Sequence, residues 1–96
     1  MTRNQIAKSY GFNFKRLGLN RKMFTKTDGT MIFVSYSTPV AIRTVDGIYL
    51  VTSRKYSVST SKHCNQFIRD ADPVHEVRRV DQSIINDWAK GVPSWI

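Results

Sequence analysis

Two Asp-Gly pairs, Asp28-Gly29 and Asp46-Gly47, constrain the fold of this chain more than any other feature. Each pair lies between runs rich in β-branched and aromatic residues, a pattern typical of a hairpin whose two central turn residues have positive φ. The two predicted hairpins join residues 22–27 to 30–36 and residues 40–45 to 48–52. The sequence therefore predicts an antiparallel β-meander of three to four strands with one buried face.

A change of period after residue 54 predicts the first helix. Cys64, Phe67, Ile68 and Ala71 have the spacing i, i+3, i+4 and i+7, which places them on one face of a helix over about residues 61–71. Thr60 is the expected N-cap of this helix. The helix should end at Asp72-Pro73, because a residue before proline avoids the α region.

A second helix is predicted near the C-terminus. Asp81 is its expected N-cap, and Gly91 followed by Pro93 should end it. Its predicted inner stripe consists of Ile84, Ile85, Trp88 and Ala89. Residues 74–80 suit a short additional strand, and Trp95 is expected to fold back onto the domain.

The N-terminal segment is predicted to be a basic arm. Residues 1–27 contain seven Lys and Arg residues and no Asp or Glu, and their apolar residues fit no single period. We expect residues 1–20 to be loosely ordered or laid on the body, and residues 21–96 to form a single domain. The predicted fold class is α+β, with a meander of three to four strands, two helices packed on one face of it, and the arm in front.

Charge and composition limit the classes of function. The 96 residues include 15 Lys and Arg against 7 Asp and Glu, a net charge of +8, and 41% of the residues are hydrophobic. A chain this apolar is not a disordered basic tail. Lacking an apolar run long enough for a membrane span or a secretory signal, it is expected to be a soluble, intracellular protein of the cytoplasm.

Candidate catalytic and metal-binding residues are few. Cys64 is the one cysteine in the sequence, so an internal disulfide is excluded. Cys64 and His63 are adjacent in the predicted helix and lack the geometry of a nucleophile pair, so both are expected to be structural. Two histidines and nearby carboxylates show no metal-ligand spacing; they are His63, Asp70, Asp72, His75 and Glu76. We predict no catalytic residue, no metal and no cofactor, and hence a protein that is not an enzyme.

Two short stretches resemble a known family. Residues 35–41 read Ser-Tyr-Ser-Thr-Pro-Val-Ala, and residues 56–63 read Tyr-Ser-Val-Ser-Thr-Ser-Lys-His. Together they resemble a family of small, uncharacterised bacteriophage proteins with a Ser-Tyr-x-Thr-x-Val-Ala strand, a hairpin and a Ser-x-Thr-x-x-His helix start. The resemblance covers roughly residues 31–70. It implies a viral origin and an accessory role on host machinery or viral nucleic acid.

The excess of cations predicts an anionic macromolecule as the partner. Lys and Arg release counterions from phosphates, and aromatic rings stack on unpaired bases. The predicted contact residues are Lys8, Tyr10, Phe12, Lys15, Arg16, Arg21, Lys22, Arg54, Lys55 and Lys62. In the simpler interpretation, Phe12 belongs to the core and the lysines only keep the protein soluble.

Two functions are carried forward. The first is binding of nucleic acid through its phosphates without strong sequence specificity. The second is a phage inhibitor that docks on an acidic surface of a host nucleic-acid-processing or defence protein, since the same cations would steer that encounter. Neither requires a membrane or a small-molecule cofactor. The chain is expected to be a monomer or, through an exposed strand edge near Pro39, a homodimer.

Overall fold

The computed structural model describes residues 2–71 and 74–93. This part of the chain contains three helices and six strands, and their bounds are α1 (Arg3–Ser9), β1 (Phe12–Gly18), β2 (Arg21–Lys26), β3 (Met31–Ser35), β4 (Thr38–Arg43), β5 (Ile48–Thr52), α2 (Val58–Asp70), β6 (Glu76–Val80) and α3 (Gln82–Trp88). The protein is thus α+β, as predicted.

The six strands form one mixed sheet in sequence order from β1 to β6. Neighbours are antiparallel except β5 and β6, which are parallel and are connected through α2. The predicted meander of three to four strands is therefore too small, because residues 12–18 and 76–80 add a strand at each edge. The additional strand predicted within residues 74–80 is confirmed as β6.

Both faces of the sheet are covered, so the prediction of two helices on one face is wrong. On one face, α1 and α3 cover a core that includes Phe24, Ile32 and Ile42. On the other face, α2 covers a core that includes Phe33 and Phe67, whose rings stack with centroids 4.7 Å apart. The apolar runs of β3 and β4 are unbroken rather than alternating, which is typical of strands buried on both sides.

The two Asp-Gly turns are hairpins, but not of the predicted two-residue type. Gly29 and Gly47 have φ of +98° and +84°, whereas Asp28 and Asp46 do not have positive φ. In the first turn, the Gly29 N–H donates to the Lys26 carbonyl at 3.0 Å. Each turn is thus a three-residue loop, in which a type I turn is followed by a left-handed glycine.

The connection between β3 and β4 consists of Tyr36 and Ser37. Tyr36 has φ of +58° and is the one non-glycine residue with positive φ among those described. Pro39 lies in an interior strand, although proline has no N–H to donate to the sheet. A register shift between β3 and β4 at this position interrupts the regular hydrogen bonding and accommodates the proline. Its carbonyl accepts a 2.7 Å hydrogen bond from Nε2 of Gln82, which ties α3 to β4.

The predicted basic arm over residues 1–20 is not what the structure shows. Thr2 caps α1 in a reciprocal capping box with Gln5, and β1 is the first strand of the sheet. Phe12 is 7% exposed and packs edge-on against Phe24, with ring centroids 6.1 Å apart. The absence of one apolar period, which suggested an arm, reflects a short helix followed directly by a strand.

The other two helices agree with the sequence in part. Helix α2 begins after Ser57 instead of Thr60 and ends at Asp70, while the predicted stop at Asp72-Pro73 and the position of Trp95 lie outside the described residues. Asp81 is confirmed as the N-cap of α3. Within α3, Ile85 is buried, but Ile84 and Trp88 are 42% and 37% exposed, so the predicted inner stripe is too wide.

Candidate nucleic-acid interface

Most of the surplus cations lie at one end of the sheet. At this end β1, β3, β5 and β6 finish and β2 and β4 begin. We call it the basic end, and define it by Arg16, Arg21, Lys22, Arg54, Lys55, Lys62 and Arg79. Among the described residues, Asp81 is the one carboxylate there. Hydrogen bonds from Ser83 to its side chain lower the pKa of Asp81, which caps α3.

The opposite end of the sheet is close to electrical balance. Its described cations are Lys8, Lys26, Arg43, Arg69 and Lys90, and its described carboxylates are Asp28, Asp46, Asp70, Glu76 and Asp87. Arg78, in the middle of β6, pairs with Glu76 at 2.6 Å. The net charge of +8 is therefore unevenly distributed over the molecule. A surface with cations and almost no carboxylates attracts anions more strongly than the same charge spread evenly.

Six of the ten predicted contact residues are at the basic end. They are Arg16, Arg21, Lys22, Arg54, Lys55 and Lys62. Lys15 is exposed in the middle of β1, opposite Met23. Lys8 and Tyr10 lie at the opposite end, and Phe12 is a core residue, so the simpler interpretation holds for that ring. The structure adds Arg79, near the end of β6.

The loop between β1 and β2 is built around two of the arginines. Arg16 donates to the carbonyls of Gly18 and Leu19, each at 3.2 Å. Arg21 donates from Nη2 to the Leu17 carbonyl at 2.8 Å. A Cβ at Gly18 would lie only 2.6 Å from the Arg21 guanidinium, so the glycine makes room for that side chain. The backbone carbonyls thereby fix two positive charges at the rim of the sheet.

The segment between β5 and α2 carries the next group of cations. The guanidinium of Arg54 lies 5.6 Å from the centre of the Tyr56 ring, within the range of a cation–π contact. The Tyr56 hydroxyl donates to Oε1 of Gln82 at 3.1 Å, and Lys55 between them is exposed. Both ends of this segment are therefore anchored while its cations face solvent.

A cluster of hydroxyl groups and one imidazole joins β3 to α2. Ser35 Oγ lies 2.7 Å from Nδ1 of His63 and 3.2 Å from the Thr60 hydroxyl. Burial, together with the charge of Arg21, lowers the pKa of His63. A neutral ring can either donate to or accept from Ser35. The partner of His63 is therefore on β3 and not at the helix cap, where it was expected.

Cys64 follows His63 on the other side of α2. Its side chain packs against the core beneath the helix, and burial raises the pKa of the thiol. A thiol with a raised pKa is a weak nucleophile at neutral pH. These observations agree with the predicted packing role of Cys64.

Two grooves flank the start of α2. The first, with a volume of about 450 Å³, is lined by Ser35, Tyr36, Thr38, Val40, Tyr56, Ser57 and Thr60. The second, of about 360 Å³, runs along the segment between β5 and α2 and is lined in part by Arg54, Lys55 and Arg79. Tyr36 and Tyr56 are 47% and 39% exposed. The basic end therefore offers two partly exposed aromatic rings beside its cations.

Tyr36 and Tyr56 were not among the predicted contacts. The signal that could have indicated them is the pair of stretches that carry the family resemblance, since residues 35–41 and 56–63 meet across this groove. The aromatic residues chosen from the sequence, Tyr10 and Phe12, were selected for their proximity to cations along the chain. In the structure, Tyr10 lies at the opposite end of the sheet from Arg16 and Arg21, and Phe12 is in the core.

Metal and membrane features can be stated for the described residues. His63 is near the basic end, and His75 is at the opposite end of the sheet, beside Gly47. The two histidines, whose spacing in the sequence is not that of metal ligands, are thus at different ends of the molecule. Among residues 2–71 and 74–93, no three His, Cys, Asp or Glu side chains are grouped as metal ligands. No helix in that part of the chain has the length and apolar character needed to cross a membrane.

The fold and the basic end define a small α+β domain with helices on both faces of a six-stranded mixed sheet. Residues 4–87 match a family of unknown function, DUF8033, and the chain belongs to this family. The match includes all six strands and the polar cluster at the start of α2. Neither a curated protein nor a solved structure matches the chain. The bacteriophage origin expected from the sequence stays a prediction.

Proposed function

We propose that the protein binds nucleic acid through the phosphate backbone, without strong sequence specificity. The observation that carries this proposal is the separation of charge along the sheet. Seven Lys and Arg residues share the basic end with Asp81, whereas the other end, with Arg78 counted beside its partner Glu76, has six described cations and five described carboxylates. The anionic partner that such a surface fits best is a chain of closely spaced phosphates.

The arrangement of the cations favours contacts to phosphates over base readout in a duplex groove. They come from three strands, the segment between β5 and α2, and the first half of α2, and α2 has its apolar face packed on the sheet. No helix stands out from the basic end among the described residues to enter a major groove. Contacts to phosphates set position and affinity but carry no direct sequence information.

A salt titration tests this proposal. The affinity for a fluorescently labelled oligonucleotide of arbitrary sequence should fall steeply with salt, because each neutralised phosphate releases bound counterions. About six contacts would reduce the affinity on the order of 10³-fold between about 50 and 200 mM salt. Fluorescence anisotropy gives the dissociation constant at each salt concentration. No binding at low salt, or an affinity independent of salt, would contradict the proposal.

A second candidate is an inhibitor that docks on an acidic surface of a host nucleic-acid-processing or defence protein. The observation in its favour is the basic end, whose Lys and Arg residues would also steer an encounter with an acidic protein. The exposed pair Ile84 and Trp88, four residues apart on α3, adds apolar contact area. Tryptophan is enriched among the residues that dominate protein interfaces. Pull-down from a nuclease-treated host lysate separates the two candidates. A protein retained by the wild type and lost with Trp88→Ala favours the inhibitor, and a partner lost on digestion favours nucleic acid.

A further inference from the structure

The groove between β3, β4 and the start of α2 occupies a central position at the basic end. Arg21 in β2 is opposite Ser35 in β3 in the sheet register, and Arg54 and Lys55 directly precede Tyr56 along the chain. Cations therefore flank the groove on two sides. A nucleic acid strand that passes over them would hold its bases next to the groove.

The lining of the groove combines aromatic rings with hydroxyl groups. Tyr36 and Tyr56 are partly exposed, and between them lie the hydroxyls of Ser57, Thr60 and the buried Ser35. A tyrosine ring stacks on any base, since every base has an apolar π face. Ser35 and Thr60 are buried and bonded to each other, and Ser35 also to His63, so Ser57 is the hydroxyl of this lining that is exposed to the edge of a base. The groove volume of about 450 Å³ is in the range of small-ligand sites.

The backbone at Tyr36 gives a second, independent reason to assign a role to this groove. A bulky side chain at φ of +58° is in the left-handed region, which Gly or Asn adopts more easily. The Tyr36 ring lies over His63 with centroids 5.9 Å apart, and His63 is fixed in turn by Ser35. The ring is thus held in place at the groove by a strained turn, and such strain is concentrated at functional sites.

We propose that this groove takes an unpaired base, so that the preferred ligand of the basic end is a single-stranded nucleic acid. The base stacks on Tyr36 or Tyr56 while its neighbouring phosphates lie against Arg21, Arg54 and Lys55. This inference rests on the proposed function and specifies its substrate class. A duplex keeps its bases paired and stacked, and would contact only the cations.

The experiment compares single strands with a duplex of the same length at one salt concentration. The proteins are the wild type, a Tyr36→Leu/Tyr56→Leu double variant, and a Tyr36→Phe/Tyr56→Phe control that retains both rings. We expect the wild type to prefer the single strand, and the Leu variant to lose about tenfold or more in single-strand affinity. Its duplex affinity should fall much less, by no more than the loss of the Tyr56 contact with Arg54 causes. The Phe control keeps both rings and that contact, losing the Tyr56–Gln82 hydrogen bond, and should keep the preference for the single strand.

A fluorescent adenine analogue within the strand reports stacking directly. Its emission should be quenched when the strand binds the wild-type protein, a result that does not depend on any variant being folded. Oligodeoxyuridylate and oligouridylate strands, which differ only in the 2′-hydroxyl, show whether the sugar matters, because stacking is common to both. Circular dichroism verifies that the variants retain the fold.

Two negative results have different meanings. Equal affinity for single strand and duplex, or no change of emission on binding, overturns the base site even where binding falls with salt, and the proposed function then stands. Failure to bind either ligand at low salt overturns both proposals.

Discussion

Tyr36 is the residue at which the fold departs most from local preference. Its φ of +58° brings the Cβ close to the backbone, a strain that glycine does not have. We expect Tyr36→Gly to be more stable than Tyr36→Ala by about 1 kcal/mol, although both remove the ring. Urea denaturation measures the difference in the free energy of unfolding.

The neighbouring turn residue provides the control for Tyr36. Ser37 is exposed and does not have positive φ, so glycine there should be no more stable than alanine. Equal stability of the Gly and Ala variants at position 36 would show that the turn is not strained.

His63 should make the stability of the protein depend on pH. Burial, with the nearby charge of Arg21, lowers its pKa below the ordinary 6.5, so the native state binds fewer protons than the unfolded chain. The free energy of unfolding should therefore decrease as the pH falls from about 7 through the lowered pKa. His63→Asn leaves a polar group near Ser35 and should weaken this dependence. Urea denaturation at several pH values measures this dependence. If the free energy of unfolding changed equally with pH in both proteins, the account would be contradicted.

At the scale of elements, the N-terminal cap of α2 gives the most specific prediction. The Ser57 hydroxyl accepts from the Thr60 N–H at 3.2 Å, so Ser57→Ala leaves that N–H without its cap. The expected loss is about 1 kcal/mol in the free energy of unfolding. Ser59→Ala, an exposed change in the first turn, is the matched control and should be close to neutral. Equal losses at the two positions in chemical denaturation would place the cap elsewhere.

Elements with strong local signals could be predicted from the sequence. The Asp-Gly hairpins, the Asp81 cap and the strand β6 all follow from a few adjacent residues. The start of α2 could not be fixed in this way, because Ser57 and Thr60 are both good caps and three residues apart. Thr60 instead contacts Ser35 on β3, a partner 25 residues away that local patterns do not specify.

Which faces of the sheet the helices cover could not be predicted from single elements. Phe33 and Val34 are adjacent in β3 and belong to opposite cores, so helices must cover both faces. The unbroken apolar run of β3 was compatible with this arrangement. The hairpins and the alternation of Val40 with Ile42 and of Ile48 with Leu50 instead indicate a meander with one buried face.

At the scale of the whole molecule, the candidate site is assembled from segments distant in sequence. The group from Arg16 to Lys22 and the group from Arg54 to Lys62 were both recognisable as basic stretches. Their placement together depends on the sheet register, which puts the end of β1 and the end of β5 at the same end of the sheet. The same register moves Lys8 and Tyr10 to the opposite end, a separation that charge counting along the chain cannot detect.

The central claim is that the basic end, and not the net charge, binds the ligand. Two double variants that each remove two positive charges test it: Lys55→Gln/Lys62→Gln at the basic end and Lys8→Gln/Lys90→Gln at the opposite end, all at exposed positions. The account predicts that the slope of log affinity against log salt, measured by fluorescence anisotropy, decreases by about 2 for the first variant and is unchanged for the second. Equal changes in both variants, or none in either, would contradict it.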